Sequence, residues 1–277
     1  SDTKPQVITG LTGGETYTLK ETTAPQGYAV TTDTQFTLNK DGTVDTSSVQ
    51  NPTTYVNGVL MVEDDMTVVK ISKVDATGKQ EVAGAKIEIV DSKGNTAQMW
   101  DESQGKFVDA KWTSDTKPQV ITGLTGGETY TLKETTAPQG YEVTTDTQFT
   151  LNKDGTVDTS SVQNPTTYVN GVLMVEDDMT VVSISKVDAT GKQEVAGAKI
   201  EIVDSKGNTA QMWDESQGKF VDAKWTSDTK PQVITGLTGG ETYTLKETTA
   251  PQGYAVTTDT QFTLNKDGTV DTSSVQN

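Results

Sequence analysis

The segment TYTLKETTAPQGY, residues 129–141, decides the fold class of this 277-residue chain. Its first half alternates apolar and polar side chains, a pattern typical of a β-strand with one buried face. The Pro-Gln-Gly at 138–140 is a turn signal that ends this strand. Short alternating runs recur at 86–90 (KIEIV) and 148–151 (QFTL), and Asp154-Gly155 favours a hairpin turn. No helical periodicity persists along the sequence for three turns. We therefore predict an all-β chain with about seven short strands per sandwich domain.

The same sequence occurs three times with a period of 113 residues, starting at Ser1, Ser114 and Ser227. Because this period is far longer than a solenoid unit, it predicts one whole domain per repeat. Two positions differ over a full period: Ala29 is replaced by Glu142 and returns as Ala255, and Lys70 is replaced by Ser183. From strand alternation we expect all of these side chains to face solvent.

We place the start of each domain at the strand VVKISKVD, residues 68–75. On this division, residues 1–67 are the C-terminal part of one repeat and residues 68–180 are a complete repeat. Residues 181–277 are then a repeat without its closing strand.

The composition excludes several classes of function. The chain has 39 acidic residues against 22 lysines, and its net charge of −17 argues against nucleic acid or membrane surfaces as partners. It has no cysteine and no histidine, which excludes disulfides, thiol chemistry and most zinc sites. No apolar run approaches the length of a membrane span, and no signal peptide or sorting tail is present in the sequence. We expect no cofactor and no metal.

Three ionisable residues lie on the predicted core face of their strands. Residues of equal parity share a face of a strand. Each ionisable residue shares parity with two apolar ones: Lys73 with Val69 and Ile71, Glu134 with Tyr130 and Leu132, and Asp177 with Leu173 and Val175. A charged residue near a strand end is usually solvated, so the alternative for each one alone is an exposed side chain.

If the three side chains are buried together, they form a reactive group. Burial disfavours the charged forms of amines and carboxylates. A neutral amine that faces a carboxyl carbon, with a second carboxylic acid to move protons, is suited to acyl transfer. The product would be a Lys–Asp amide, an intramolecular isopeptide bond.

Three segments resemble a known family: 71–95 (ISKVDATGKQEVAGAKIEIVDSKGN), 130–141 (YTLKETTAPQGY) and 172–182 (VLMVEDDMTVV). They are similar to the B-type (CnaB) repeat domains of Gram-positive collagen adhesins and SpaA-type pilins. The resemblance covers the whole 113-residue unit. It implies tandem immunoglobulin-like sandwiches of the reverse type, whose first and last strands are joined by a spontaneous Lys–Asn or Lys–Asp bond.

The resemblance also implies a role for particular residues. The nucleophiles would be Lys73 and Lys186, the proton-shuttling acids Glu21, Glu134 and Glu247, and the acceptors Asp64 and Asp177. Asn51, Asn164 and Asn277, each in a VQN segment, are alternative acceptors. We favour Asp177 because Asn164 precedes another plausible strand. With an aspartate acceptor, residues 68–180 alone carry a complete set.

These residues predict a structural role: a segment of a surface stalk or pilus-like adhesin, extracellular and anchored to a cell wall. Its partners would be neighbouring repeats, with host ligands bound by domains outside this sequence. Formation of the bond is a single turnover on the chain itself, so we do not expect an enzyme.

Three other functions compete with this interpretation. A ligand-binding adhesin module would use exposed tryptophans (Trp100, Trp112, Trp213 and Trp225), although one tryptophan per repeat is expected to fill the core. Calcium-stapled repeats are disfavoured because no Asp-x-Asp-x-Asp-Gly loop with a terminal Glu occurs in the sequence. A glycoside hydrolase with paired carboxylates is formally possible.

Overall fold

The computed structural model describes residues 3–51, 53–77, 80–191 and 193–276. Within these ranges the regular structure is β-strand, apart from two single-turn 3-10 helices at Thr46–Ser48 and Thr159–Ser161. The prediction of an all-β chain of tandem immunoglobulin-like domains is confirmed. For description, we call residues 1–67, 68–180 and 181–277 the first, middle and third repeats.

The strands are numbered in chain order. Those of the first repeat are β1 (Thr16–Leu19), β2 (Thr34–Leu38), β3 (Val44–Asp45), β4 (Thr53–Val56) and β5 (Val59–Val62). Those of the middle repeat are β6 (Val68–Asp75), β7 (Lys86–Asp91), β8 (Gln98–Asp101), β9 (Lys106–Asp109), β10 (Lys111–Thr113), β11 (Gln119–Thr122), β12 (Thr129–Thr136), β13 (Thr147–Leu151), β14 (Val157–Asp158), β15 (Thr166–Val169) and β16 (Val172–Asp177). Those of the third repeat are β17 (Val181–Ile184), β18 (Lys199–Asp204), β19 (Gln211–Asp214), β20 (Lys219–Asp222), β21 (Lys224–Thr226), β22 (Gln232–Thr235), β23 (Thr242–Thr249), β24 (Thr260–Leu264) and β25 (Val270–Gln276).

The middle repeat contains two sheets and a hairpin. One sheet has five strands in the order β10-β7-β12-β13-β14, the other has four in the order β11-β6-β16-β15, and β8 pairs with β9. Side chains from both sheets form one core, represented by Ile71, Ile89, Ile121, Phe149 and Leu173, each at most 2% exposed. Burying one such side chain stabilises the fold by roughly 1.5–3 kcal/mol. This core fixes the spacing of the two sheets, and with it the positions of the inward-facing charged residues.

The first and last strands of the middle repeat are parallel neighbours. In the pairing of β6 with β16, Leu173 lies opposite Ile71 and Val175 opposite Lys73. Asp177 follows Val175 on the same face, since alternate residues of a strand point the same way. The two ends of the repeat therefore meet in one sheet, and their inward-facing charged residues lie close together.

The first and third repeats share parts of this architecture. The third repeat has an equivalent five-stranded sheet in the order β21-β18-β23-β24-β25. Its opening strand β17 pairs with β22. The first repeat has the sheet β1-β2-β3 and the hairpin β4-β5. Among the described residues, β17 has no parallel partner corresponding to β16, and β5 has no partner corresponding to β6.

The repeats contact one another through a defined junction. At the first junction, Val30 N–H donates to the carbonyl of Lys153 (2.7 Å), and Gly126 N–H donates to the carbonyl of Tyr28 (3.1 Å). The Thr67 hydroxyl donates to the carbonyl of Leu124. Polar backbone groups of one repeat are thus satisfied by the next repeat.

The second junction has the same contacts one period later. Val143 N–H donates to the carbonyl of Lys266 (2.7 Å), and Gly239 N–H donates to that of Tyr141 (2.9 Å). Gly140, at φ +89°, lies so close to the next repeat that an added Cβ would sit 2.6 Å from Cζ of Phe220. The turn at 138–140 therefore closes a strand within its own repeat and also forms the contact surface for the following one.

The variable position at 29, 142 and 255 lies at a junction in the first and middle repeats, and the expectation that all three residues face solvent is wrong for two of them. Ala29 and Glu142 are half-buried, while Ala255 is exposed. The reason is tertiary: the turn that carries residues 29 and 142 is covered by the next repeat, which strand alternation cannot reveal. Lys70 and Ser183 are exposed as expected.

The tryptophans are all partly buried. Trp112 and Trp225 pack against the cores of their repeats, as expected for one tryptophan per repeat. Trp100 and Trp213 lie edge-on against Phe107 and Phe220, with ring centroids 5.3 Å apart. The β8-β9 and β19-β20 hairpins that carry these pairs are part of the repeat-to-repeat junctions.

The described part of the chain contains no helix that is both long and apolar enough to cross a membrane.

Candidate functional site

Lys73, Glu134 and Asp177 meet between the two sheets of the middle repeat. Lys73 and Asp177 come from the neighbouring strands β6 and β16, and Glu134 comes from β12 of the facing sheet. They are 2%, 6% and 2% exposed. The strand alternation that directs their apolar neighbours into the core also directs these three side chains inward.

The lysine amine contacts both carboxyl groups. Its Nζ lies 2.5 Å from Oδ1 of Asp177 and 3.3 Å from Oε2 of Glu134. The first distance is shorter than the roughly 2.7–2.9 Å that is typical of charge-assisted hydrogen bonds between nitrogen and oxygen. Amine and carboxyl are therefore adjacent within a buried core, the arrangement that condensation to an amide requires.

Thr144 binds both carboxyl groups as well. Its backbone N–H donates to Oε2 of Glu134 at 2.6 Å, and its hydroxyl lies 2.6 Å from Oδ1 of Asp177. The same hydroxyl is 2.6 Å from the carbonyl oxygen of Glu176. Nothing in the sequence distinguishes this residue, because threonine is frequent in this chain and Thr144 lies outside any strand.

Burial changes the protonation of the two acids. Desolvation raises the pKa of Glu134 to about 7, although the neighbouring Lys73 acts in the opposite direction. Desolvation also raises the pKa of Asp177, again opposed by Lys73. One oxygen of each carboxyl, Oε1 of Glu134 and Oδ2 of Asp177, is buried without a hydrogen-bond partner. Both observations favour a neutral carboxylic acid over two carboxylates, since an unpaired buried charge is costly.

The third repeat contains a part of this site. Lys186 Nζ lies 3.3 Å from Oε1 of Glu247. Thr257 N–H donates to Oε2 of the same glutamate at 2.7 Å. The Lys186 side chain is 16% exposed, whereas that of Lys73 is completely buried. In the described residues of the third repeat, no aspartate takes the place of Asp177.

The first repeat holds the complementary part. Thr31 N–H donates to Oε2 of Glu21 at 2.7 Å. Burial and the adjacent Glu21 raise the pKa of Asp64, whose Oδ1 is buried without a partner. Two acids are thus present here, and among the described residues of the first repeat no lysine occupies the position of Lys73.

The alternative asparagine acceptors lie elsewhere. Asn51 and Asn164 are exposed, and Asn277 lies outside the described residues. Asn164 shares a shallow cleft with Thr144 and Glu176. Of the predicted acceptors in the middle repeat, Asp177 is the one whose carboxyl group contacts the lysine amine.

Within the described ranges, no group of three or more His, Cys, Asp or Glu side chains is arranged to hold a metal ion. The contacts of the buried site are made by one amine, two carboxyls and one threonine. Its residues therefore suit proton transfer and acyl transfer between themselves.

Comparison with known proteins identifies the family. A family model described as SpaA, a prealbumin-like fold domain, matches residues 2–53, 67–166 and 180–277. The chain belongs to this family of SpaA prealbumin-like domains, and the match recurs once in each repeat. A search of curated proteins finds no match.

Solved structures of pilus proteins from Lactobacillus rhamnosus GG are similar. The C-terminal fragment of the pilus adhesin SpaC is 20% identical, with 74% of this chain and 87% of that chain covered and a TM-score of 0.35. The open conformation of SpaC is 17% identical, with 89% and 33% covered and a TM-score of 0.36. A variant of the shaft pilin SpaA is 19% identical, with 72% and 93% covered and a TM-score of 0.28. This chain thus spans about a third of the longer SpaC structure.

Proposed function

We propose that the middle repeat closes an isopeptide bond between Lys73 and Asp177, and that the chain is a segment of an extracellular stalk or pilus-like fibre anchored to a cell wall. The observation that carries the proposal is the buried contact of 2.5 Å between the lysine amine and the aspartate carboxyl, with Glu134 alongside. Three ionisable side chains in a core would destabilise the fold if they served only for packing.

The reaction requires no cofactor and is balanced within the chain. The Lys73 ammonium transfers a proton to ionised Glu134, which leaves a neutral amine beside the neutral Asp177 carboxylic acid. Nζ attacks Cγ of Asp177, the new C–N bond forms, and one C–O bond breaks. The protonated Glu134 gives its proton to the departing hydroxyl and, once ionised again, accepts the proton released by nitrogen. An amide and one water molecule result.

The environment of Glu134 suits this proton transfer. With a pKa of about 7, its protonated and ionised forms are similarly populated near neutral pH. Burial of both groups in the core favours the direct contact of the amine and the acid. The chemistry occurs once per chain, so the proposed role is structural and not enzymatic.

The bond would strengthen the repeat against tension. The chain enters the middle repeat at β6 and leaves it at β16, and these strands are parallel neighbours. Force applied to the two ends would shear β6 against β16, and a covalent link between them would carry that force. Repeats joined through the junction described above would transmit it along the fibre. The proposed partners are therefore neighbouring repeats, with host ligands bound by other parts of the protein.

Intact mass spectrometry of the full chain tests the bond. We expect a mass about 18 Da below that calculated from the sequence, because closure with aspartate releases one water. Glu134→Gln should restore the calculated mass. The matched control is Glu247→Gln in the third repeat, which should keep the deficit. A wild-type chain of the calculated mass would refute the crosslink, and a loss of about 17 Da would indicate an asparagine acceptor instead.

Single-molecule pulling on the full chain tests the mechanical role. With the bond closed, the roughly 100 residues between Lys73 and Asp177 cannot extend. Asp177→Ala should therefore add about 35 nm of contour length, at roughly 3.5 Å per residue. Equal contour lengths for the unfolded wild-type chain and the unfolded variant would contradict the stalk proposal.

A further inference from the structure

Thr144 is placed to orient both acids of the proposed crosslinking site. It lies eight residues beyond the end of β12, in the segment before β13, and is 7% exposed. Its backbone N–H and its hydroxyl reach different carboxyl groups, Glu134 from one sheet and Asp177 from the other. One small residue thus connects the proton-shuttling acid to the acceptor.

We propose that Thr144 is a positioning residue for isopeptide formation. It holds the carboxyl groups of Asp177 and Glu134 in place, so that both contact the Lys73 amine. This inference rests on the proposed crosslinking function. Thr144 itself forms and breaks no covalent bond in the reaction.

The hydroxyl can serve both protonation states of Asp177. It has a single hydrogen and two oxygens at 2.6 Å, Oδ1 of Asp177 and the carbonyl of Glu176. When Asp177 is ionised, the hydroxyl donates to Oδ1. When Asp177 is protonated at Oδ1, the carboxylic acid donates to the hydroxyl, which then donates to the Glu176 carbonyl. In either state the rotation of the carboxyl about its Cβ–Cγ bond is fixed, and Cγ is held toward Nζ.

The equivalent threonines of the other repeats keep the backbone contact with glutamate, and the hydroxyl of Thr31 has a different partner. Thr31 and Thr257 also donate their backbone N–H groups to the glutamate of their own repeat, at 2.7 Å in both cases. The Thr31 hydroxyl instead donates to the carbonyl of Glu63, at 3.3 Å. The contact with glutamate therefore forms without a complete site. The hydroxyl contact with an aspartate carboxyl occurs in the middle repeat, where the lysine, the glutamate and the aspartate are present together.

The rate of closure tests the proposal in the full chain. The chain is purified in urea, so that it is still unfolded and not crosslinked, and is then diluted into buffer to fold. Samples are quenched in acid at intervals, and the loss of approximately 18 Da is followed by intact mass spectrometry. Thr144→Val keeps the shape and removes the hydroxyl. We expect it to close about 10- to 100-fold more slowly, as is typical for loss of a hydrogen bond to a charged or reacting group.

Thr144→Ser separates positioning from packing. It keeps the hydroxyl and removes a buried methyl group, so we expect closure within about threefold of wild type. A residue that served only for packing would give the opposite order, with serine slower than valine. Closure of Thr144→Val at the wild-type rate, or that reversed order, would overturn the proposal.

Two controls keep the outcomes distinct. Thr257→Val, at the equivalent position of the third repeat, should leave the rate unchanged. If Thr144→Val does not fold, Thr144→Ala takes its place with the same expected slowing, since alanine fits any space that threonine occupies. Wild-type chain that never loses mass would refute the proposed function itself, whereas rapid closure by the hydroxyl-free variants would refute only the role of Thr144.

Discussion

Lys73 and Asp177, about 100 residues apart in sequence, are diagonal neighbours across two parallel strands, with Nζ 2.5 Å from Oδ1. The contact joins the first strand of the middle repeat to its last. Their backbones are held by the β6-β16 ladder, so the carboxyl and the amine are brought together by the fold itself. The stability and local opening of this repeat should therefore depend on that pair.

Asp177→Ala should destabilise the middle repeat strongly. A covalent link that closes a loop of about 100 residues contributes roughly 4–5 kcal/mol through the unfolded chain. The variant also leaves the Lys73 amine buried with one acid fewer. Urea denaturation of the full chain, followed by hydrogen exchange of the β7 amides, measures the change. Asp64→Ala is the matched control, because the first repeat has no lysine at the site. Equal effects of the two variants on β7 would contradict this prediction.

The opening strands of the middle and third repeats should differ in hydrogen exchange. β6 lies between β11 and β16, whereas β17 pairs only with β22 among the described strands. An edge strand with fewer partners opens at lower free energy. We expect the amides of 181–184 to exchange at least about tenfold faster than those of 68–71. The full chain is labelled in deuterated buffer and digested with pepsin after quenching, and the deuterium uptake of the peptides is measured by mass spectrometry. Equal protection of the two segments would mean that β17 is covered in solution.

Gly140→Ala should loosen the second junction. An added Cβ would lie 2.6 Å from Cζ of Phe220, and the positive φ of +89° is an additional strain for alanine. Gly253→Ala is the matched control: its φ is +87°, and nothing lies within 4 Å of its Cβ position. Spin labels are attached to cysteines introduced by Lys117→Cys and Lys230→Cys, since the chain has no cysteine of its own. Only Gly140→Ala should broaden the distribution of distances between these two labels. Equal broadening by both alanine variants would show that the backbone strain, and not the contact with Phe220, is responsible.

The second junction should weaken as pH rises. Glu142 is half-buried there, and burial raises its pKa, with Asp178, Asp177 and Asp267 acting in the same direction and Lys73 opposing them. An acid whose pKa is raised in the docked state binds its proton more tightly there, so docking is strongest below that pKa and is lost as pH rises through it.

The natural difference between the repeats provides the controls for this pH effect. Glu142→Ala should remove the pH dependence of the label distances at the second junction between about pH 4 and pH 8, a range of ~4 units that begins below the ordinary glutamate pKa. Ala29→Glu should introduce such a dependence at the first junction. A Glu142→Ala chain that still loosens at high pH would assign the effect to other carboxylates.

The sequence alone was sufficient to predict the fold class and the inward direction of three ionisable side chains. A strand places alternate side chains on one face, so the parity of Lys73, Glu134 and Asp177 with their apolar neighbours could be read locally. The 113-residue period could likewise be read directly.

The tertiary structure decided which groups touch. The β6-β16 register puts Asp177, and not the exposed Asn164, beside the lysine, and a loop brings Thr144 between the two acids. Packing of one repeat on the next leaves Glu142 half-buried, although strand alternation had predicted an exposed side chain. These contacts join residues that are distant in sequence or belong to irregular segments, and local periodicity carries no information about such pairs.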